Sequence, residues 1–415
     1  MSSGLTPAQR TTRYGVFGLT WVSYATYYLA RKGFGVTKAR IETRLGVSPG
    51  WLATIDTAYL IAYAAGQFVS GVFGDRVGAR RLVGWGMLGS AVACALFGSA
   101  SGALVMLLAF AANGLFQSTG WPGNTKAMAD WYAPAERGTV MGVWSTCYQA
   151  GGLLATAFAT LLLSAFGWRW AFFGPALVVG GVGLVVLITL TERPGERRGA
   201  PPPVPTAEEV ATAQAERRRV ILSPTVWSFG AAYFCLKIIR YSILFWLPYY
   251  LHNALEYTEA KAGYLSVSFE VGGIVGVLIA GALSDRVAGR RRSVLASAMM
   301  GLLALSLLLY SVVAAWGVWP NFAAMALVGL LLFGPDSLLA GAAAQDLGGK
   351  HAAATATGFV NGMGSVGAIL QGAFTVTLRE HLGWDAVFYG FLVVAALGAL
   401  ALAPTWRRVP EVAAT

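Results

Sequence analysis

The sequence has little charge, few histidines and few cysteines. Charged residues make up 12% of its 415 positions, and there are three histidines and three cysteines. The cysteines lie in apolar segments without metal-ligand spacing, which argues against a disulfide framework and a zinc site. The chain offers no grouping of a nucleophile, a base and an orienting side chain, and it has no phosphate-binding loop of the ATPase type. We therefore expect no enzymatic activity, no cofactor and no metal.

Hydrophobic residues, in contrast, are abundant. They make up 56% of the chain, and the mean hydropathy of +0.60 is typical of proteins that cross a membrane many times. A membrane-spanning helix needs about 20 mostly apolar residues. Twelve stretches meet this requirement, and we predict transmembrane helices at 14–36, 50–73, 82–101, 103–129, 138–164, 169–190, 224–251, 261–284, 293–315, 320–344, 353–378 and 384–404.

The net charge of +11 indicates topology rather than a nucleic-acid partner. If both termini are cytoplasmic, most lysines and arginines fall at cytoplasmic ends and loops, as the positive-inside rule requires. The first apolar run lacks a short hydrophobic core followed by a small-residue cleavage site, so we interpret it as a retained helix rather than a signal peptide. We expect a monomeric, multi-pass protein of the plasma (inner) membrane, embedded in the lipid bilayer, with both termini in the cytoplasm.

Two pairs of repeated segments divide the chain into halves. The segment 71–81 (GVFGDRVGARR) returns 210 positions later as 281–291 (GALSDRVAGRR), and 167–174 (GWRWAFFG) returns 216 positions later as 383–390 (GWDAVFYG). The predicted fold is therefore an all-α membrane protein with two six-helix halves, 1–190 and 223–415, joined by a cytoplasmic linker at 191–222. Within the linker, 206–220 is compatible with a short surface helix or a solvated tether.

Basic residues occur inside two of the apolar runs. Lys237 and Arg240 lie in the run 227–251, and Arg31 ends another run 209 positions before Arg240. A cation at the centre of a bilayer helix costs about 2.5 to 3.5 kcal/mol, and such residues usually face a bundle interior or a water-filled path. Tyr24, Tyr28 and Arg31 have i, i+4, i+7 spacing, which places them on one helical face. One arginine in each half suggests an anion held between the halves.

Three acidic residues also lie in or near predicted spans, namely Asp56, Glu270 and Asp336. A buried carboxylate without a partner is costly, so each should be paired or protonated. They either neutralise Lys237 or Arg31 or relay protons, and the residues alone leave both interpretations open. Because Lys237 lies one helical turn before Arg240, we predict that a span acid neutralises it, with Asp336 the first candidate and Glu270 the second.

Several segments together resemble one family of transporters. The segment 71–81 matches G-x3-D-[RK]-x-G-x-[RK]-[RK], a loop signature of the major facilitator superfamily, and 281–291 is a degenerate copy. Further segments that carry the resemblance are 27–32, 56–75, 113–122, 136–144, 236–238 and 240–246. Over nearly its whole length, the chain is similar to the organophosphate/phosphate antiporters of that superfamily, and most of all to their sugar-phosphate/phosphate exchanger branch.

The resemblance implies a set of substrate-binding residues. It implies that Arg31 and Arg240 hold a phosphate group, a role that suits the planar guanidinium fork. The chain differs from the glycerol-3-phosphate transporter at three positions, where Tyr148, Gln67 and Lys237 replace a histidine, a lysine and a tyrosine. The complete set of predicted substrate ligands is Arg31, Arg240, Lys237, Tyr24, Tyr28, Lys126, Tyr148 and Gln67.

The resemblance also implies a mechanism. The two loop signatures are predicted to act as cytoplasmic latches between neighbouring helices, through Asp75, Arg76, Arg80, Arg81, Asp285, Arg286, Arg290 and Arg291. The predicted function is secondary antiport of a sugar phosphate or glycerol phosphate against inorganic phosphate by alternating access. Two alternatives stay open, a proton-coupled carrier of another organic anion and a transporter-like membrane sensor of sugar phosphate.

Overall fold

The computed structural model describes residues 6–195, 206–257, 259–286, 291–349 and 351–406, except for the side chains at positions 39, 49, 259, 260, 263 and 264. Helices and short connections make up this part of the chain, and it contains no strand. The α-helices are α1 Pro7–Tyr27, α2 Leu29–Leu45, α3 Pro49–Val77, α4 Ala79–Ser99, α5 Ala103–Gln117, α6 Gly120–Trp131, α7 Arg137–Phe166, α8 Trp170–Thr189, α9 Ala207–Leu222, α10 Pro224–Asn253, α11 Glu259–Arg286, α12 Arg292–Val313, α13 Val318–Ser337, α14 Ala344–Gly348 and α15 Ala353–Ala401.

A helix occupies each stretch predicted to span the membrane. Nine helical segments in the described residues are long and apolar enough to cross a bilayer. The predicted first and second spans, formed by α1 to α3, are not among these nine segments, and the count of twelve crossings stays a prediction. The predicted linker contains the helix α9, which agrees with the interpretation of 206–220 as a short helix rather than a tether. The remaining linker residues, 196–205, lie outside the described residues.

Several predicted spans are interrupted helices. The first span divides at Tyr28, and the fourth divides between α5 and α6. In the tenth span, α13 is followed by a π-helical segment at Leu338–Ala343, a wider helical turn that is frequent at functional sites. The two last spans are two helices that meet within α15 at a kink, where Gly383 has the non-helical angles φ 84° and ψ −178°. Glycine is required there because side chains disfavour positive φ.

The described residues form two compact units. The first unit contains the residues up to Ala133, Trp144–Ile221 and Gly348–Gly362. The second unit contains Pro134–Val143, Leu222–Leu347 and the residues from Met363 on. The helices α7 and α15 therefore each contribute to both units. The start of α7, up to Val143, belongs to the second unit, and the rest of α7 belongs to the first. The start of α15, up to Gly362, belongs to the first unit, and the rest of α15 belongs to the second.

Buried aromatic side chains fill the core of each unit. In the first unit, the ring of Phe97 packs against those of Phe34, Phe110 and Phe172, with centroid distances of 5.3, 5.4 and 4.4 Å. In the second unit, Phe388 lies 5.1 Å from both Tyr250 and Tyr310. Such clusters fix the helix packing on which the polar sites depend.

Small residues bring the helices that carry the arginines close to their neighbours. A Cβ atom at Gly151 of α7 would collide with the carbonyl oxygen of Ala25 on α1. In the second unit, a Cβ atom at Gly367 of α15 would collide with the carbonyl oxygen of Phe234 on α10. The two contacts are related by the offsets of 209 and 216 seen in the sequence. The internal repeat is thus present in the packing of each unit.

Candidate substrate-binding site and helix-capping clusters

Arg31 follows the break in the first predicted span. In a regular α-helix the backbone N–H of Arg31 would donate to the carbonyl oxygen of Tyr27. Here it donates to the carbonyl oxygen of Tyr28 at 3.2 Å, so the carbonyl of Tyr27 loses its usual backbone partner. The side-chain amide of Gln117 replaces that partner and donates to Tyr27 at 3.1 Å. A polar side chain of α5 therefore stabilises the bend that positions Arg31.

The guanidinium group of Arg31 is held on two sides and has one unpaired end. Its Nε donates to Oε1 of Gln117 at 2.8 Å, and the same oxygen accepts from the hydroxyl of Tyr59 at 2.9 Å. The rings of Tyr28 and Tyr63 lie 4.3 and 5.5 Å from its central carbon. Its Nη2 is buried and has no hydrogen-bond partner in the described part of the chain. This end of the guanidinium is available to bind an anion.

Two of the predicted tyrosines of the first unit, Tyr24 and Tyr28, lie near Arg31. The ring of Tyr24 packs edge-on against Tyr28 at 6.0 Å and against Trp121 at 5.3 Å. Tyr148 of α7 lies 6.5 Å from Trp121. The aromatic rings therefore connect α1, α6 and α7, and Tyr28 links this group of rings to Arg31.

Gln67 lies on the face of α3 that approaches Arg31. Tyr59, Tyr63 and Gln67 are spaced by four residues, and the first two side chains contact the Arg31 group or its Gln117 partner. Gln67 is fully buried, and neither its Nε2 nor its Oε1 has a hydrogen-bond partner among the described residues. Lys126, also predicted as a substrate ligand, forms an ion pair with Asp75 at 3.2 Å, and its role at the substrate stays a prediction.

In the second unit, Asp336 of α13 joins two cations of α10. Nζ of Lys237 lies 3.3 Å from its carboxylate, and Nη1 of Arg240 lies 3.1 and 3.0 Å from its two oxygens. Asp336 is 1% exposed, so the ion pairs compensate a fully buried carboxylate. The pairing of Lys237 with Asp336 expected from the sequence is present, and Arg240 shares the same acid. The π-helical segment of the tenth span begins two residues after Asp336.

Of the two other predicted charge partners, Asp56 has a different cation as its partner. Asp56 forms an ion pair with Lys38 of α2, and both side chains are partly exposed. Its partner is therefore neither Arg31 nor Lys237, the two cations named in the sequence-based expectation. Glu270 lies on α11 and is partly buried.

The first loop signature caps a helix far away in the sequence. The carboxylate of Asp75 accepts hydrogen bonds from the backbone N–H groups of Ala354 and Thr355 at 3.1 and 2.7 Å, and from the hydroxyl of Thr355 at 2.6 Å. These are the first residues of α15, so Asp75 acts as a helix cap supplied by α3. One turn earlier, Gly71 and Gly358 permit direct backbone contact between the two helices.

The rest of this loop is held by an acid outside the signature. Gly78 has φ 86°, and Glu192 accepts a hydrogen bond from the backbone N–H of Arg80 at 2.9 Å. A side chain at position 78 would collide with that carboxylate, which explains the glycine. Arg76 and Arg81 are exposed, whereas Arg80 is partly buried.

The second signature forms the same arrangement in the second unit. Asp285 accepts from the backbone N–H groups of Gly138 and Thr139 at 3.0 and 2.7 Å, and so caps α7. Its cation is Arg292, at 3.1 Å, which also binds Asp346 at 2.8 Å. Arg286 and Arg291 are exposed, and Arg290 lies outside the described residues. Among the described residues, the cation that pairs with the aspartate is thus Arg292, which lies outside the signature.

Sequence reasoning missed several polar residues of these clusters. Gln117 lies in the segment 113–122 that carried the family resemblance, but it was given no role there. Arg292 directly follows the second signature, and Arg137 binds Asp346 at 2.7 Å. Apolar spacing could not identify these residues, because their partners Asp346 and Arg31 lie 54 to 209 positions away.

Comparisons with known proteins agree with this architecture. A sugar phosphate exchanger 3 from Gallus gallus is 31% identical and is aligned over 94% of this chain and 91% of its own length. A putative glycerol-3-phosphate transporter 2 from Arabidopsis thaliana is 33% identical, over 93% of this chain and 85% of its own length. The crystal structure of the transporter FucP in the outward conformation matches 95% of this chain and 99% of FucP, with a TM-score of 0.73 and 13% identity.

The family assignment rests on most of the chain. The family described as Major Facilitator Superfamily matches residues 20–372. Its members among the comparisons are transporters, which confirms the expectation of a multi-pass membrane transporter rather than an enzyme. The all-α fold with paired capping clusters and the similarity of sequence lead to one conclusion: this chain belongs to the Major Facilitator Superfamily.

Proposed function

We propose that this protein exchanges a phosphorylated metabolite, either a sugar phosphate or a glycerol phosphate, for inorganic phosphate. The names of two relatives, a sugar phosphate exchanger and a putative glycerol-3-phosphate transporter, support the substrate class. Both substrates present the same phosphoryl group, so one set of cationic ligands serves both directions of the exchange.

The observation that carries the proposal is the unpaired end of Arg31. This arginine forms no ion pair with an acidic side chain of the described residues, and its buried Nη2 lacks a hydrogen-bond partner there. A buried cation in this condition is costly unless an anion binds it. The planar guanidinium offers two parallel N–H groups, which match the oxygens of a phosphate better than those of a smaller anion.

Asp336 allows the two cations of the second unit to exchange one anionic partner for another. Its carboxylate holds Lys237 and Arg240 in a defined geometry, and phosphate oxygens can replace it as the acceptor for both cations. Arg240 corresponds to Arg31 in the internal repeat. We therefore assign phosphate binding to both arginines and treat Asp336 as the group that neutralises the site when no substrate is bound.

The same electrostatics favours exchange over one-way transport. Without a bound anion, the site has to change its access with an uncompensated buried charge at Arg31, whereas a bound phosphate neutralises that charge. We propose that the capping clusters of Asp75 and Asp285 act as latches that open and close during this cycle. We further propose a monomer in the plasma (inner) membrane, with two six-helix halves at 1–190 and 223–415 and both termini in the cytoplasm.

The test is exchange in proteoliposomes that contain the purified protein. Vesicles loaded with unlabelled phosphate should take up labelled phosphate, and external glucose-6-phosphate or glycerol-3-phosphate should compete. Uptake that needs a pH gradient but no internal phosphate would indicate a proton-coupled carrier instead. Binding of sugar phosphate without any flux would indicate a sensor.

Arg31→Lys and Arg240→Lys should each abolish phosphate exchange while the protein still inserts into the membrane. An ammonium group keeps the positive charge but loses the planar fork. The exposed Arg10 provides a matched control, because Arg10→Lys should exchange phosphate at the normal rate. Near-normal exchange by both site variants would remove these arginines from the binding site.

A further inference from the structure

Three uncharged side chains of the first unit have buried polar atoms that find no hydrogen-bond partner among the described residues. They are Gln67 of α3 and Ser145 and Gln149 of α7. The atoms concerned are Nε2 and Oε1 of both glutamines and Oγ of Ser145, and none of them has a partner in the described part of the chain. Buried polar groups are nearly always satisfied, so a group of three requires an explanation. The mechanism proposed above does not use Ser145 or Gln149.

The two residues of α7 lie on the helical face that leads to Arg31. Ser145, Gln149 and Gly152 share one face, because they are spaced by four and three residues. A Cβ atom at Gly152 would lie 3.8 Å from the ring of Tyr28, and Tyr28 lies under the guanidinium of Arg31 at 4.3 Å. Gln149 is therefore about one helical turn from the level of Arg31, and Ser145 is about two turns away.

Gln67 lies in the same region and belongs to α3. Tyr63, one turn before it, lies 5.5 Å from the central carbon of Arg31. Following α3 from Tyr63 to Gln67 leads toward Asp75 and its partner Lys126. Along α7, the segment from Gly152 back to Trp144 leads in the same direction. The indole of Trp144 donates to Thr20, and Thr20 contacts Met128, which is two residues from Lys126. Both glutamines thus lie on one side of the arginine.

Phosphate oxygens alone cannot satisfy all the polar atoms of these three side chains. Phosphate oxygens at neutral pH mainly accept hydrogen bonds, so they can satisfy an amide N–H but not the amide oxygens of Gln67 and Gln149. A hydroxyl group both donates and accepts. Adjacent hydroxyls on a carbon chain can therefore satisfy two amides and the Ser145 hydroxyl at once.

We propose that Gln67, Ser145 and Gln149 form a hydroxyl-recognising subsite beside Arg31. The subsite selects phosphate esters of polyhydroxylated compounds over phosphate esters whose carbon chain carries no hydroxyls. This inference rests on the proposed function, because it takes Arg31 as the ligand of the phosphoryl group. It assigns the selection of the organic part to the first unit.

The test compares two competitors that differ only in hydroxyls, glycerol-3-phosphate and n-propyl phosphate. Each is titrated against labelled phosphate exchange, and the ratio of their inhibition constants is the readout. This ratio is independent of how strongly a variant binds phosphate itself. The wild type should prefer glycerol-3-phosphate. Gln67→Leu, Ser145→Ala and Gln149→Leu should each reduce the preference roughly threefold to tenfold, the effect of one lost neutral hydrogen bond.

The exposed Gln214 of α9 provides the control, since Gln214→Leu should leave the preference unchanged. If a variant is too slow for exchange measurements, stabilisation of the purified protein against heat by the two esters yields the same ratio. An unchanged ratio in the Gln67→Leu, Gln149→Leu double variant would overturn the subsite, as would a wild type without preference. Absence of phosphate exchange and of phosphate binding in the wild type would instead overturn the proposed function.

Discussion

Gln117 is the residue on which the geometry of Arg31 depends. It accepts from Arg31 and Tyr59 through one oxygen and donates through its nitrogen to the carbonyl of Tyr27, which the helix break leaves unpaired. Its nitrogen also lies 3.3 Å from the side-chain oxygen of Asn113, whose own nitrogen donates to the carbonyl of Ala30. One amide therefore orients the guanidinium and stabilises the backbone that carries it.

We expect Gln117→Leu to weaken phosphate binding without removing the ligand itself. The substitution removes the acceptor for the Nε of Arg31 and leaves the carbonyl of Tyr27 unsatisfied, so the guanidinium loses its fixed orientation. The KM for phosphate should rise roughly tenfold with a smaller change in maximal rate, since one hydrogen bond to a charged group contributes about 1.5 to 3 kcal/mol. The concentration dependence of phosphate exchange measures both quantities. An unchanged KM with a reduced rate would show that Gln117 serves folding alone.

Asp336 and Lys237 are expected to contribute unequally to stability. Asp336→Ala takes the carboxylate from two buried cations, whereas Lys237→Ala leaves Asp336 paired with Arg240. Removing one partner of a buried pair costs roughly 3 to 5 kcal/mol, so we expect Asp336→Ala to lower the melting temperature more than Lys237→Ala. In the double variant the loss should be smaller than the sum of the two single losses. Thermal unfolding of the four proteins provides the cycle, and strictly additive losses would contradict the coupling.

In each unit, an aspartate of one helix caps the N-terminus of another helix. Asp75 of α3 caps α15, and Asp285 of α11 caps α7. A glycine four residues before each aspartate lets the two helices approach to backbone contact, so the carboxylate reaches the exposed N–H groups. The sequence signature of glycine followed by aspartate therefore encodes an interaction between helices as well as a loop.

Asp75→Ala should shift the conformational equilibrium with little effect on substrate affinity. The substitution removes a helix cap, which contributes about 0.5 to 2 kcal/mol, and leaves Lys126 without its buried partner. Asp75→Asn should have a weaker effect, since asparagine is also a good cap but lacks the charge. The exchange rate and the phosphate KM measure the two effects separately. The exposed Asp385 supplies the control Asp385→Asn, and a large rise in KM at a normal rate would refute a switching role.

The distribution of charge over the whole chain determines its expected orientation. If both termini lie on the same side, as we propose, most of the 30 basic residues lie in loops and ends on that side. A reporter fluorescent only in the cytoplasm should therefore be active when it is fused after Thr415. A periplasmic phosphatase at the same position should be inactive, and it should become active when fused in the connection at residues 254–257. The opposite pattern would invert the topology and place the latches outside the cell.

The sequence alone determined the class of protein, the positions of the helices and the internal repeat. These are local properties, because the length of an apolar run and the recurrence of a segment can be read without knowing the neighbours of any residue. The buried cations Arg31, Lys237 and Arg240 were also evident, since a basic residue inside an apolar run is costly wherever the helix packs. The pairing of Lys237 with Asp336 followed from the same cost.

For the other polar groups, only the tertiary structure decided which of them meet. The partners of Asp75 at the start of α15 lie about 280 positions away, and the pairing of Lys126 with Asp75 was not expected from the sequence. Asp56 was considered as a partner of Arg31 or Lys237, but it pairs with Lys38. Such pairs depend on the distance and rotation between helices, which side-chain packing sets and which no periodicity within one helix records.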